Sequence, residues 1–172
     1  MSIFSLPQKF DFNEWFILAA MIVVCIYIPL LQKRFPIPII IIIMMALFSL
    51  ALEKAADLIF EYPPYNFYYL NDKIEYELFD LFVCFLYPAS GYIFIYFYSK
   101  WNIRGLFVFL YALSWSVIAI GCEWISILAR IFIYRDWNLL YSYPIYLISL
   151  YLYIVFYHFV LLHFSQEKKS QF

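Results

Sequence analysis

Five apolar runs, at residues 15–31, 36–61, 74–98, 105–134 and 139–164, occupy most of this chain and leave few folds open to it. As helices at 1.5 Å per residue, runs of about 17 residues or more can cross a hydrocarbon core of about 30 Å. Backbone polar groups inside lipid must pair within the protein, which selects helices over irregular structure. The polar inventory points the same way. With 13% charged and 67% hydrophobic residues, the chain falls well short of the roughly one-quarter charged content of a soluble domain. The expected fold is an all-α integral membrane protein with five transmembrane helices in one bundle.

Three segments follow from this. Residues 1–14 mix Ile3, Phe4, Leu6, Phe10 and Phe12 with Lys9, Asp11 and Glu14, an amphipathic lead-in suited to the membrane interface. Residues 15–164 form a single five-span transmembrane domain, and 165–172 a tail. The first run is too long for a secretory h-region and lacks a basic start, so it reads as a retained span. Pro63 and Pro64 stop the second run, and the aromatic loop 62–72 suits the headgroup layer. Pro88 predicts a kink near Cys84, with Ala89, Ser90 and Gly91 beyond it small enough for another helix to approach.

The basic residues orient the spans. Lys33, Arg34, Lys100, Arg104, Lys168 and Lys169 fall on one side, whereas Lys9, Lys73 and Arg135 fall on the other. By the positive-inside rule the N-terminus is outside and the C-terminus cytoplasmic.

Charges inside the runs call for partners, water or a task. Counted from the cytoplasmic face, Glu53 lies about 25 Å up the second span, and Asp80 and Glu123 each about 27 Å up the third and fourth. Ser49, Glu53, Asp57 and Glu61 fall four residues apart and share a helix face, and Lys54 precedes Asp57 by three residues, within reach of its carboxylate. Ala112, Ser116, Ala119, Glu123, Ser126 and Arg130 recur on one face of the fourth span. These spacings predict a polar cluster of Glu53, Lys54, Asp57, Asp80, Glu123 and Arg130, with Ser49, Cys84, Tyr87, Ser116 and Ser126 lining any cavity beside it. A charged cap that pins helix ends at the surface accounts for the same residues.

Other classes find little support. Eleven basic and twelve acidic residues give a net charge of -1, against nucleic acid as a partner. Cys25, Cys84 and Cys122 lie unpaired in apolar runs, and His158 and His163 stand five apart rather than at the i, i+4 spacing of a helical metal pair. No metal or other cofactor is expected. Gly-x-Ser-x-Gly and His-Glu-x-x-His motifs do not occur, so a hydrolase nucleophile or zinc site is not indicated.

Residues 80–92 (DLFVCFLYPASGY), 100–104 (KWNIR), 123–126 (EWIS) and 137–142 (WNLLYS) resemble a family of small, uncharacterised multi-pass membrane proteins of spore-forming Gram-positive bacteria. The likeness spans roughly residues 12–160. It implies a helical fold and a bacterial plasma membrane, without a reaction, and Asp80 and Glu123 lie within the matching stretches.

The favoured function is a non-enzymatic membrane component acting through a protein partner, a homo-oligomer or the lipid bilayer. One alternative is a small transporter or proton-coupled pathway using the carboxylate cluster. Another is an enzyme acting on lipid in the outer leaflet.

Overall fold

The computed structural model describes residues 10–60, 64–65, 67–70 and 78–170, with side chains except at 69, 70, 78, 80 and 165–170. Five helices dominate: α1 (Phe12–Arg34), α2 (Ile39–Phe60), α3 (Leu78–Lys100), α4 (Leu106–Leu128) and α5 (Leu139–Ser170). Each contains a stretch long and apolar enough to cross a membrane, the architecture of a multi-pass membrane protein. Their outward faces carry Leu106, Phe107, Leu140 and Leu162, all largely exposed. Apolar surface on this scale suits lipid and would drive aggregation in water.

Helix α3 is central. It packs on α1 and α2, and α2 and α4 both pack on α5. Tyr111 of α4 donates to the Phe94 carbonyl of α3 at 2.6 Å, which adds α4 as a third neighbour. Gly91 brings α3 against α5: a Cβ there would overlap the Tyr153 hydroxyl. That hydroxyl continues to α2, donating to the Met45 carbonyl at 2.9 Å. Pro88 sits within α3 without ending it. The core around it is largely aromatic, with Phe94, Tyr96, Tyr98 and Tyr153 buried.

Several boundaries differ from the sequence expectation. Helix α1 starts at Phe12, inside the expected lead-in, where Glu14 reaches back to accept from the Asp11 backbone N–H at 2.7 Å. Asn13 and Glu14 are buried. Residues 1–9 of that lead-in lie outside the described residues. Helix α5 runs on through Ser170, so most of the expected tail is helical.

The largest correction concerns the fourth run, which does not continue as helix to residue 134. Helix α4 stops at Leu128, and Arg130 adopts a left-handed φ of 58°. The Arg130 N–H bonds the Ile127 carbonyl and the Ile131 N–H bonds the Ser126 carbonyl, the paired bonds of a Schellman ending. The chain then extends into β2 (Phe132–Tyr134), which pairs antiparallel with β1 (Tyr68–Leu70) from the α2–α3 connection. Helix α3 ends in the same manner, with Asn102 in the left-handed position and the Ile103 N–H on the Tyr98 carbonyl. The bundle thus has a strand end, closed by β1–β2, and a basic end, where Lys33, Arg34, Lys100 and Arg104 gather at the helix turns.

Candidate functional site

The polar side chains of α2 and α4 collect at the strand end. Glu53 and Asp57, one helical turn apart, both point inward and are 7% exposed. Lys54 is half exposed, and its long stem folds back so that Nζ lies 3.1 Å from Glu53 Oε1 and 3.0 Å from Asp57 Oδ2. Cys84 on α3 donates to Glu53 Oε1 at 3.3 Å, and the Tyr68 hydroxyl on β1 donates to Asp57 Oδ1 at 3.3 Å.

Glu123 on α4 has a different set of partners, none of them a cation among the described residues. Its Oε1 accepts from the Tyr134 hydroxyl at 2.5 Å and from Ser142 Oγ at 2.8 Å. Tyr146 is a further hydrogen-bond partner. Ser142 Oγ also accepts from Trp137 Nε1 at 2.9 Å. Trp137 is seated against the rings of Phe60, Phe67 and Tyr68, so this chain of bonds reaches back to the end of α2. Burial first, then the adjoining Glu123, pushes the Tyr134 hydroxyl above the usual tyrosine range.

The short ladder explains why the two groups lie under one cover. Tyr68 and Tyr134 are directly opposed in the register. Opposed residues of an antiparallel pair project from the same face. Each hydroxyl takes one carboxylate, Tyr68 that of α2 and Tyr134 that of α4. Tyr87 on α3 lies within electrostatic reach of Glu53, Asp57, Tyr68 and Tyr146, and Tyr146 within reach of Tyr68 and Tyr134. Four tyrosines, Tyr68, Tyr87, Tyr134 and Tyr146, therefore gather in one layer with the acids of α2 and the acid of α4. Two oxygens in this layer, Glu53 Oε2 and Glu123 Oε2, are buried and have no hydrogen-bond partner among the described residues.

The expected cluster is assembled in part. Glu53, Lys54, Asp57 and Cys84 meet, and Glu123 joins through tyrosines rather than by ion pairing. Arg130 is exposed and forms no ion pair among the described residues, because the left-handed turn carries it off the helix face it was counted on. The Asp80 side chain lies outside the described residues, although its backbone belongs to the first turn of α3. Ser116 and Ser126 bond carbonyls of their own helix, at Ala112 and Cys122, and Ser49 bonds Tyr153 away from the acids.

Tyr68, Tyr134, Trp137, Ser142 and Tyr146 were not expected in the site. The available signal for Tyr68 and Tyr134 was the pair of short aromatic and β-branched triplets, Tyr-Tyr-Leu and Phe-Ile-Tyr, which favour strand. Among the described residues no group of three or more His, Cys, Asp and Glu side chains could hold a metal ion. His158 instead bonds Tyr98 at 2.8 Å near the basic end. In chemical terms the strand-end layer can hold hydrogen bonds and protons, with the Cys84 thiol on Glu53 and the Ser142 and Tyr134 hydroxyls on Glu123. No protein-family model, curated protein or solved structure matches the chain.

Proposed function

We propose that this chain is a non-enzymatic, multi-pass component of a bacterial plasma membrane, with its N-terminus outside and its C-terminus cytoplasmic, that acts by association with a protein partner, a second copy or lipid. One observation carries this reading: the carboxylates are engaged by the protein's own groups. Lys54 spans Glu53 and Asp57, Tyr68 donates to Asp57, and Tyr134 and Ser142 both donate to Glu123 Oε1. The layer ties the α2–α3 and α4–α5 connections together at the outer end of the bundle. What the molecule offers to its surroundings is then its apolar helix faces and its basic end. Purification in mild detergent should yield a complex of fixed stoichiometry, a homo-oligomer of fixed copy number, or a monomer retaining lipid. A lone monomer stripped of lipid without loss of fold refutes the reading.

A proton-coupled pathway is the second reading, motivated by Glu53 Oε2 and Glu123 Oε2, which have no hydrogen-bond partner among the described residues. Against it stands the packing below. The void between α2, α3 and α5, lined by Ile41, Met45, Pro88 and Tyr153, holds about 10 Å³. A single water needs about 10–15 Å³. Vesicles loaded with a pH-sensitive dye decide the matter. Proton flux that disappears when Glu53→Gln and Glu123→Gln are combined supports a pathway, and unchanged flux excludes one through these acids.

A further inference from the structure

The basic end contains a feature that the strand-end layer does not use. A groove of about 480 Å³ opens at the α3–α4 turn, lined by Trp101, Asn102, Arg104, Phe107, Leu110 and Ser114. We infer that this groove binds one anionic glycerophospholipid, its phosphate on Arg104 and one acyl chain along Phe107, Leu110 and Ser114. The inference rests on the association reading and names the ligand class for it.

Three properties of the groove favour this occupant. The first is the state of Arg104. Its Nε donates to Asn102 Oδ1 at 3.1 Å, and its two Nη groups have no partner among the described residues. Asn102 is itself fixed as the left-handed residue that ends α3. The guanidinium is thereby held at the mouth of the groove with its outer edge open, the geometry that pairs with a phosphate. Helix α4 adds exposed backbone N–H groups there, since Gly105 supplies no side-chain cap.

Length is the second property. From Phe107 to Ser114 the lining follows α4 for seven residues, about 10 Å of helix. One leaflet of the hydrocarbon core is about 15 Å deep, half of the whole. The groove therefore starts at headgroup depth, where the exposed Trp101 also lies, and runs through about two thirds of one leaflet. Its deeper lining, Phe107 and Leu110, is apolar and exposed, as an acyl chain requires.

Charge is the third. Lys33, Arg34, Lys100 and Arg104 share this end, and no acidic side chain is described there. Such a field draws anionic over zwitterionic headgroups.

The test is native mass spectrometry of the full chain released from nanodiscs, comparing phosphatidylglycerol with phosphatidylcholine, with inorganic phosphate as a competitor. Arg104→Gln removes the phosphate partner, and Ser114→Trp fills the groove from an exposed position. Lys33→Gln with Arg34→Gln removes two charges from the same end without touching the lining. Retained phosphatidylglycerol should fall about tenfold or more in Arg104→Gln, the effect of losing a hydrogen bond to a charged group. It should fall comparably in Ser114→Trp and change less than about threefold in the Lys33 and Arg34 pair, where only screened surface charge is lost. Phosphatidylcholine should be retained far less, and phosphate alone should not displace the bound lipid. Equal retention in Arg104→Gln, no effect of Ser114→Trp, or a loss in the Lys33 and Arg34 pair matching that of Arg104→Gln each overturns the inference. So does displacement by phosphate alone. If the groove proves empty while the chain is still a defined oligomer or complex, the groove assignment falls and the association reading stands.

Discussion

If the Glu123 carboxylate is a tie between α4, β2 and α5, its removal has a calculable signature. Glu123→Ala deletes the acceptor of Tyr134 at 2.5 Å and of Ser142 at 2.8 Å. Ser142 also accepts from Trp137, so its oxygen stays occupied while its proton loses a partner. Each buried donor left without an acceptor costs about 1–3 kcal/mol, and the two together about 2–5 kcal/mol after local readjustment. Tyr134→Phe alone leaves Ser142 on the same Oε1 and removes donor and demand together, so its cost is one hydrogen bond, about 1–2 kcal/mol. The double variant should then be less destabilised than the sum of the two, because the phenyl ring removes the hydroxyl that Glu123→Ala had stranded.

Thermal unfolding in mild detergent, alongside abundance in isolated membranes, measures all three variants. The expected order is Tyr134→Phe, then the double variant at or slightly below the cost of Glu123→Ala. Groups in one hydrogen-bond network depart from additivity by about 0.5–3 kcal/mol. Strict additivity, or a Glu123→Ala melt within about 0.5 kcal/mol of the parent, a change typical of a surface substitution, refutes the tie. Normal abundance with a lost cellular phenotype would instead make Glu123 a working group.

Gly91→Ala should destabilise by about 1–3 kcal/mol, the usual range for forcing a methyl into a packed contact, because its Cβ meets the Tyr153 hydroxyl. Combining it with Tyr153→Phe should recover part of that loss in the same melts. Arg130→Gly should raise stability by about 0.5–1 kcal/mol, since glycine accepts the left-handed φ of 58° without the Cβ penalty. A lower melting point in that variant would mean that the exposed arginine makes a contact of its own. The Tyr134 hydroxyl ionises less readily in the fold than in the unfolded chain. Its contribution is therefore complete below the ordinary tyrosine range near pH 10 and declines as pH rises through its higher folded value. Tyr134→Phe should flatten the alkaline branch of a stability profile, and an unchanged branch would place the hydroxyl outside the network.

The helices were legible because lipid makes a single demand, a run of apolar residues of sufficient length, and all five runs meet it. The paired acids of α2 were legible from helical spacing, which brings Glu53, Asp57 and Lys54 into reach of one another without knowledge of the remaining fold. Glu123 was legible as a charge in an apolar run, but its partners were not. With 18 tyrosines in the chain, spacing cannot single out Tyr68, Tyr87, Tyr134 and Tyr146. Their selection comes from the β1–β2 register, a contact between residues 66 positions apart in sequence for the Tyr68–Tyr134 pair. The ladder was hidden for a local reason as well. Arg130 ends α4 in a left-handed conformation that usually announces itself with glycine, so the apolar residues beyond it read as more helix.

Tyrosine suits this position better than lysine or arginine would. A buried carboxylate needs donors, but every cation placed beside it must itself be stripped of water, a cost that can exceed the attraction gained. A tyrosine brings a donor on a ring that packs as an apolar group, so the hydroxyl alone must find a partner. The chain uses both solutions side by side. At α2 the cation is Lys54, and it keeps nearly half of its side chain in the open while its ammonium spans Glu53 and Asp57. At α4, the partners of Glu123 Oε1 among the described residues are neutral hydroxyls. This difference predicts opposite salt responses. Lys54→Met should destabilise the protein more at low ionic strength than at high, because an exposed ion pair is screened. The cost of Tyr134→Phe should not change with salt. Equal salt dependence in the two variants would mean that Glu123 has a cationic partner, and the division of labour between the two helices would not hold.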